Sequence, residues 1–131
     1  MFDLLFDNPA GKLTIDDFSD VNAVALNITN SIDSLQCKCG EIVSAHVLAA
    51  AQESWRMNAA RASKIELVLA YCKRDDKRLV LGAFTIGRWD TTKDGKRMMF
   101  WGYPSPNRNK YEYHLLPKEA DGARNPVKYY D

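Results

Sequence analysis

The 131-residue sequence has only three cysteines, an odd count that argues against a disulfide framework and for reduced thiols. It has no apolar run near the ~18–20 residues of a membrane span. Its start, Met1-Phe2-Asp3-Leu4-Leu5-Phe6-Asp7-Asn8-Pro9, lacks the basic segment that opens a secretory signal. These absences predict a cytoplasmic protein with no membrane partner. There is also no glycine-rich phosphate loop, nucleophile elbow or EF-hand loop, and no internal repeat or low-complexity tract. No motif names a reaction, and no cofactor is implied. Charge of one sign is missing as well, since 18 Lys+Arg meet 17 Asp+Glu for a net +1. Taken alone, that total argues against a polyanion partner.

The distribution of the charge reverses that argument. Residues 1–54 carry only Lys12 and Lys38 against eight acidic residues, a net of −6, whereas residues 55–131 carry sixteen Lys+Arg against nine, a net of +7. Eleven of the fourteen aromatics also fall in the second part. An asymmetry of this kind points to nucleic acid or to an acidic partner.

The length suits one domain, 1–131, with one core. Asn8-Pro9-Ala10-Gly11 has turn chemistry, so residues 1–20 read as an amino-terminal hairpin or arm ahead of a sheet-plus-helix core in 21–131. Val24, Leu26 and Ile28 alternate as in a strand. From Glu41 to Trp55 the apolar period becomes helical, through Ile42, Val43, His46, Val47 and Ala50. Residues 57–64 form a basic connector, helical or looped. Ile65 to Cys72 is apolar on both faces and predicts a central strand. The charged turn Lys73 to Arg78 leads to a strand from Leu79 to Trp89 whose Gly82 and Gly87 mark bulges, bends or close approaches. Asp94-Gly95 is a hairpin signal, followed by strands at Lys96–Tyr103 and Tyr111–Leu116. The expected class is α+β, with a curved, mostly antiparallel sheet or partly open barrel closed by one main helix.

Four pieces together carry a family resemblance: the Val24-Ala25-Leu26-Asn27-Ile28 strand, a helix ending in Ser54-Trp55-Arg56, the strand pair from Lys64 to Trp89, and Asn125-Pro126-Val127-Lys128-Tyr129. Over residues 22–130 this order resembles a small accessory domain at the carboxyl end of some bacterial GIY-YIG endonuclease-like proteins. Gln52-Glu53 stands where that family has a Thr-Arg pair, and the nuclease module is absent. The resemblance therefore implies an accessory module near nucleic acid and no catalysis. The layout is also similar to PUA-like domains, by analogy of fold alone.

The candidate contact residues interleave cations with flat rings: Trp55, Arg56, Arg61, Arg88, Trp89, Arg97, Trp101, Tyr103, Arg108 and Lys128, with Lys110 and Tyr129 alongside. Such a set holds phosphates while stacking unpaired, flipped or modified bases of DNA or RNA. Tryptophans in a small β-rich domain are equally the usual core residues. Alternation sharpens the choice, because Met99, Trp101 and Tyr103 share one face of their strand and Met98, Phe100 and Gly102 the other. Binding of this kind is expected to weaken steeply with salt.

Asp16, Asp17 and Asp20 supply a second candidate surface. They are either a solvated edge or a dock for a basic protein partner, as in a regulator or inhibitor of a nucleic-acid enzyme. The same surface also suits a head-to-tail contact between copies in a homo-oligomer. Asp94-Gly95-Lys96 has the D-x-K form of a metal-dependent hydrolase, for which Asp90 is the only close candidate as the second carboxylate, and Asp-Gly is more often simply a turn. Cys37, Cys39 and Cys72 do not have zinc-site spacing. His46 and His114 read as packed histidines.

Overall fold

The computed structural model describes residues 7–29, 47, 48, 51, 52, 55, 59–74, 77–93, 97–117 and 127–130. Its elements in chain order are β1 (Gly11–Lys12), a 3-10 turn (Ile15–Phe18), β2 (Ala23–Asn27), α1 (Ala59–Ala62), β3 (Leu67–Arg74) and β4 (Lys77–Thr91). β5 (Met98–Pro104), α2 (Arg108–Tyr111), β6 (His114–Leu115) and β7 (Val127–Tyr130) complete them. Most of the predicted helix, together with Arg56, Cys37, Cys39, His46, Asp94, Lys96, Asn125 and Pro126, lies outside the described residues.

The strands form one mixed sheet in the order β1-β6-β4-β3-β2-β7, with β5 beside β4. Antiparallel pairing dominates, but β2 and β3 run parallel at the centre, with Ala23 opposite Leu67 through Asn27 opposite Tyr71. A parallel pair requires a long crossover, and the intervening residues 28–66 supply it. Among the described residues, the end strands β1 and β7 do not pair with each other, so the sheet is open rather than barrel-like. In the amino-terminal segment, β1 pairs in parallel with β6.

Alternation sorts the side chains onto two buried faces. On the first, Val24, Leu26, Val68, Ala70, Leu79 and Phe84 pack with Val47, Ala51, Trp55 and Phe100. Within the predicted helical segment, Gln52 N–H donates to Leu48 O at 2.9 Å, the i to i−4 bond of a helical turn. On the second face, Ala25, Leu67, Leu69, Val80 and Ala83 lie under Leu13, Phe18, Tyr111 and Leu116. The Phe18 ring stacks on Tyr130 at 4.4 Å, which ties the 3-10 turn to β7. β3 is covered on both sides, as its apolar run predicts.

Two sequence expectations change. Residues 111–116 are not one strand, because α2 and a turn take up their first part and only His114–Leu115 pairs. Tyr113, whose φ of 63° is left-handed, separates α2 from β6. The connector at 57–64 contains α1, closed by Ile65 N–H donating to Ala62 O at 3.0 Å.

Candidate nucleic-acid interface

β4 is longer than its neighbour. β3 ends its pairing where Leu67 meets Thr85, but β4 continues to Thr91 with only β5 alongside. The continuation is a two-stranded ribbon with one face on the core. Phe100 is fully buried there, Met98 is 7% exposed, and Ile86 and Trp89 pack against the same cluster. Trp55 bridges the far edge of β5, exchanging two 2.7 Å backbone bonds with Met98.

The glycines let the ribbon form. Gly87 sits in the register shift between Ile86 and Arg88, which brings Arg88 opposite Trp101. Gly102 lies so close to β4 that a Cβ on it would stand 2.5 Å from Thr85 O. Both are interior-strand glycines serving a bulge and a close approach.

The other face of the ribbon is wet, and it carries the aromatics. Trp101 is 47% and Tyr103 56% exposed, with Met99 on the same side. Opposite them on β4 are Asp90, Arg88 and Thr85. One carboxylate oxygen joins three of these residues: Asp90 Oδ2 accepts from Trp101 Nε1 at 3.0 Å and lies 3.1 Å from Arg88 Nε. The Arg88 guanidinium stands over the Trp101 ring at 5.7 Å from its centroid, within cation–π reach.

The remaining candidates are dispersed. Trp55 is a core residue, 9% exposed, with its indole N–H donated to Ala51 O at 2.8 Å. Trp89 is half-buried against Phe100, ring centroids 5.3 Å apart, and its buried Nε1 has no hydrogen-bond partner among the described residues. Arg97 is exposed at the base of the β4–β5 connection, where Thr92 N–H donates to Arg97 O at 2.9 Å. Arg108 is exposed on α2. Lys128 is half-buried on β7, separated from β4 by β2 and β3. Arg61 contributes its backbone to α1. The ribbon thus unites Arg88, Trp101 and Tyr103, with Trp89 beneath them; Trp55 flanks its edge as a core residue, and Lys128 lies across the sheet on β7.

A groove of about 460 Å³ borders the ribbon at Thr85, lined by Asp16, Asp17, Asp20 and Glu66 with Lys110 as its cation. The sequence suggested three of these acids. Glu66 joins them because β3 begins beside the 3-10 turn, where its N–H donates to Asn22 O at 2.8 Å. Asp17 belongs to a capping box: Thr14 N–H and Oγ1 donate to its Oδ2 at 2.7 and 3.3 Å. The backbone bond from Thr14 holds its carboxyl below the usual aspartate range, helped by Lys110 and His114. On α2's far side, burial raises Glu112 and nearby Arg108 partly offsets that.

The opposite end of β4 carries the cations of the charged turn in cross-strand register. Lys73 lies directly opposite Arg78 and Arg74 opposite Lys77. Like charges in such register repel.

Asp90 is engaged by Arg88 and Trp101, and the other two members of the hydrolase set lie outside the described residues. Among the described residues no group of three or more His, Cys, Asp or Glu is arranged to hold a metal ion. No described helix is long and apolar enough to cross a membrane. Comparison with protein-family models, curated proteins and solved structures finds no match to this chain.

Proposed function

We propose that the protein is a non-enzymatic nucleic-acid-binding module that takes unpaired bases on the outer face of the β4–β5 ribbon. One observation carries the reading: Trp101 and Tyr103 stand exposed on one face, two residues apart, with Arg88 over Trp101. Their strand spacing is about 6.6 Å, from ~3.3 Å per residue. Flat rings on an open sheet surface stack bases without reading their edges, so they favour single strands or flipped bases over an intact duplex. The acidic groove bounds the site at Thr85, opposite Tyr103, and repels phosphates there. A bound strand therefore leads towards Arg97.

The test is fluorescence anisotropy with labelled single-stranded and duplex DNA and RNA at low salt. Single strands are expected to bind better than duplexes, and Trp101→Ala or Tyr103→Ala to weaken binding by about 1–3 kcal/mol each. Absence of binding to every probe would refute the reading.

The four carboxylates in one groove favour a second reading, a regulator that docks a basic protein surface through Asp16, Asp17, Asp20 and Glu66. It predicts a stoichiometric partner that survives nuclease treatment and is released when Asp16, Asp17 and Asp20 are changed to lysine. Retention of that partner by the charge-reversed protein would rule out this face.

A further inference from the structure

The ribbon's cation and its aromatic ring share a single acceptor. We infer that Asp90 is a positioning residue that fixes the Trp101 ring and at the same time holds down the positive charge of the stacking face, so that ligands are taken by stacking more than by phosphate attraction. The inference rests on the nucleic-acid reading above and names how that site is tuned.

The argument starts from the geometry of Asp90 Oδ2. Its bond to Trp101 Nε1, at 3.0 Å, restrains the rotation of an indole that is otherwise half in solvent. The Arg88 Nε contact of 3.1 Å to the same oxygen pairs the guanidinium that covers that ring. An arginine already paired with a carboxylate releases few counterions when a phosphate arrives, so its share of the salt dependence is suppressed. Arg88 nevertheless remains 68% exposed at its side chain, close enough to exchange Asp90 for a phosphate if the carboxylate is neutralised. The sequence alone predicts a steep salt dependence from the cation count. The pairing lowers that expectation for this face.

Asparagine at position 90 separates the two roles. It keeps an oxygen that can accept from the indole but removes the charge that neutralises Arg88. Binding of a labelled single-stranded oligonucleotide would be measured against salt concentration for the full chain, Asp90→Asn, Asp90→Ala, and each in an Arg88→Gln background. Asp90→Asn is expected to bind more tightly at low salt and to steepen the slope of log K against log salt by about 0.7, the value for one further phosphate contact on a single strand. Asp90→Ala should gain the same slope but bind several-fold more weakly than Asp90→Asn at high salt, where stacking dominates and its indole has lost an acceptor. In the Arg88→Gln background, Asp90→Asn should leave the slope unchanged, because the paired cation is gone.

An unchanged slope in Asp90→Asn would overturn the inference while the nucleic-acid reading stands. An equal steepening with and without Arg88 would also overturn it, since the carboxylate would then act through the general field alone. No binding by the unmodified chain would remove the reading and the inference together.

Discussion

The two halves of β4 lie in one strand and differ in what covers them. From Leu79 to Phe84 every residue is buried, between Val47, Ala51 and Trp55 on one side and the Leu13, Phe18 and Tyr111 cover on the other. Beyond Thr85 one face of the β4–β5 ribbon keeps its core contacts while the other turns to water carrying Trp101 and Tyr103 of β5. In the first half apolar residues hold the sheet together. In the second, large rings occupy positions from which stability gains little, and that is where contact with a partner is the better account of them.

The sharpest way to break this comparison uses neighbours in sequence. Phe100 is fully buried and Trp101 is 47% exposed on the opposite face of β5. Phe100→Ala is expected to cost about 3–5 kcal/mol of folding stability, the range for truncating a buried aromatic. Trp101→Ala should cost under about 1 kcal/mol, because its surface pairing with Asp90 is of the exposed kind, and its effect should appear in binding. Denaturant unfolding of the two variants measures both. Equal destabilisation would mean that the ribbon's outer face is part of the core.

A smaller effect tests whether the ribbon depends on its close approach. Gly102→Ala places a methyl group 2.5 Å from Thr85 O, a backbone atom that cannot rotate away, and 3.1 Å from the Phe100 ring. Strand separation should cost about 1–3 kcal/mol, as overpacking does. It should also weaken oligonucleotide binding by shifting Tyr103 relative to Trp101. Gly87→Ala meets only Trp101 O at 3.1 Å and should be milder. A reversed order, read from unfolding midpoints, would place the critical contact at the bulge instead.

Much of this difference between the halves was legible in the residues. Ile65 to Cys72 predicts a strand covered on both faces because it has no polar alternation. The alternation of Met98 to Tyr103 sorts Phe100 inward and Trp101 outward. Gly82 and Gly87 mark the irregularities in β4. The parallel pairing of β2 with β3 was not legible, since strand patterns carry no direction and a helical period between two strands suits a parallel or an antiparallel return alike. Trp55 was ambiguous for a similar reason. A Trp-Arg pair suits a stacking site or a core anchor equally, and only the bridge to Met98 with the indole bond to Ala51 decides for the core. Asp90 suits a metal ligand in sequence because it is the nearest carboxylate to Asp94-Gly95-Lys96, whereas its partners in the fold are a cross-strand tryptophan eleven positions away and an arginine on its own strand. Sequence spacing does not reveal a shared oxygen.

The smallest expected effect concerns the acidic groove, the ribbon's neighbour, and it is a dependence on pH. Thr14 donates to the ionised Asp17 carboxylate, so the folded protein holds this group below the ordinary aspartate value of about 3.9. The unfolded chain then binds the proton more readily than the native one, and stability rises with pH across that interval. The Asp17 contribution is complete above about pH 3.9 and is lost as the pH falls through the lower folded value. Glu112 acts in the opposite sense. Burial raises it above the ordinary glutamate value of about 4.3, so its charged form disfavours the fold at neutral pH. Acidification relieves that penalty as the pH falls through the raised value. Thermal unfolding from pH 7 down to 3 should therefore show Glu112→Gln flattening the upper part of the profile and Asp17→Asn flattening the part below about pH 4. If Asp17→Asn instead altered only the region near neutrality, the capping box would not be holding that carboxylate. A carboxylate titrating that high would be partly protonated at neutral pH, which would weaken the groove as a dock for a basic partner.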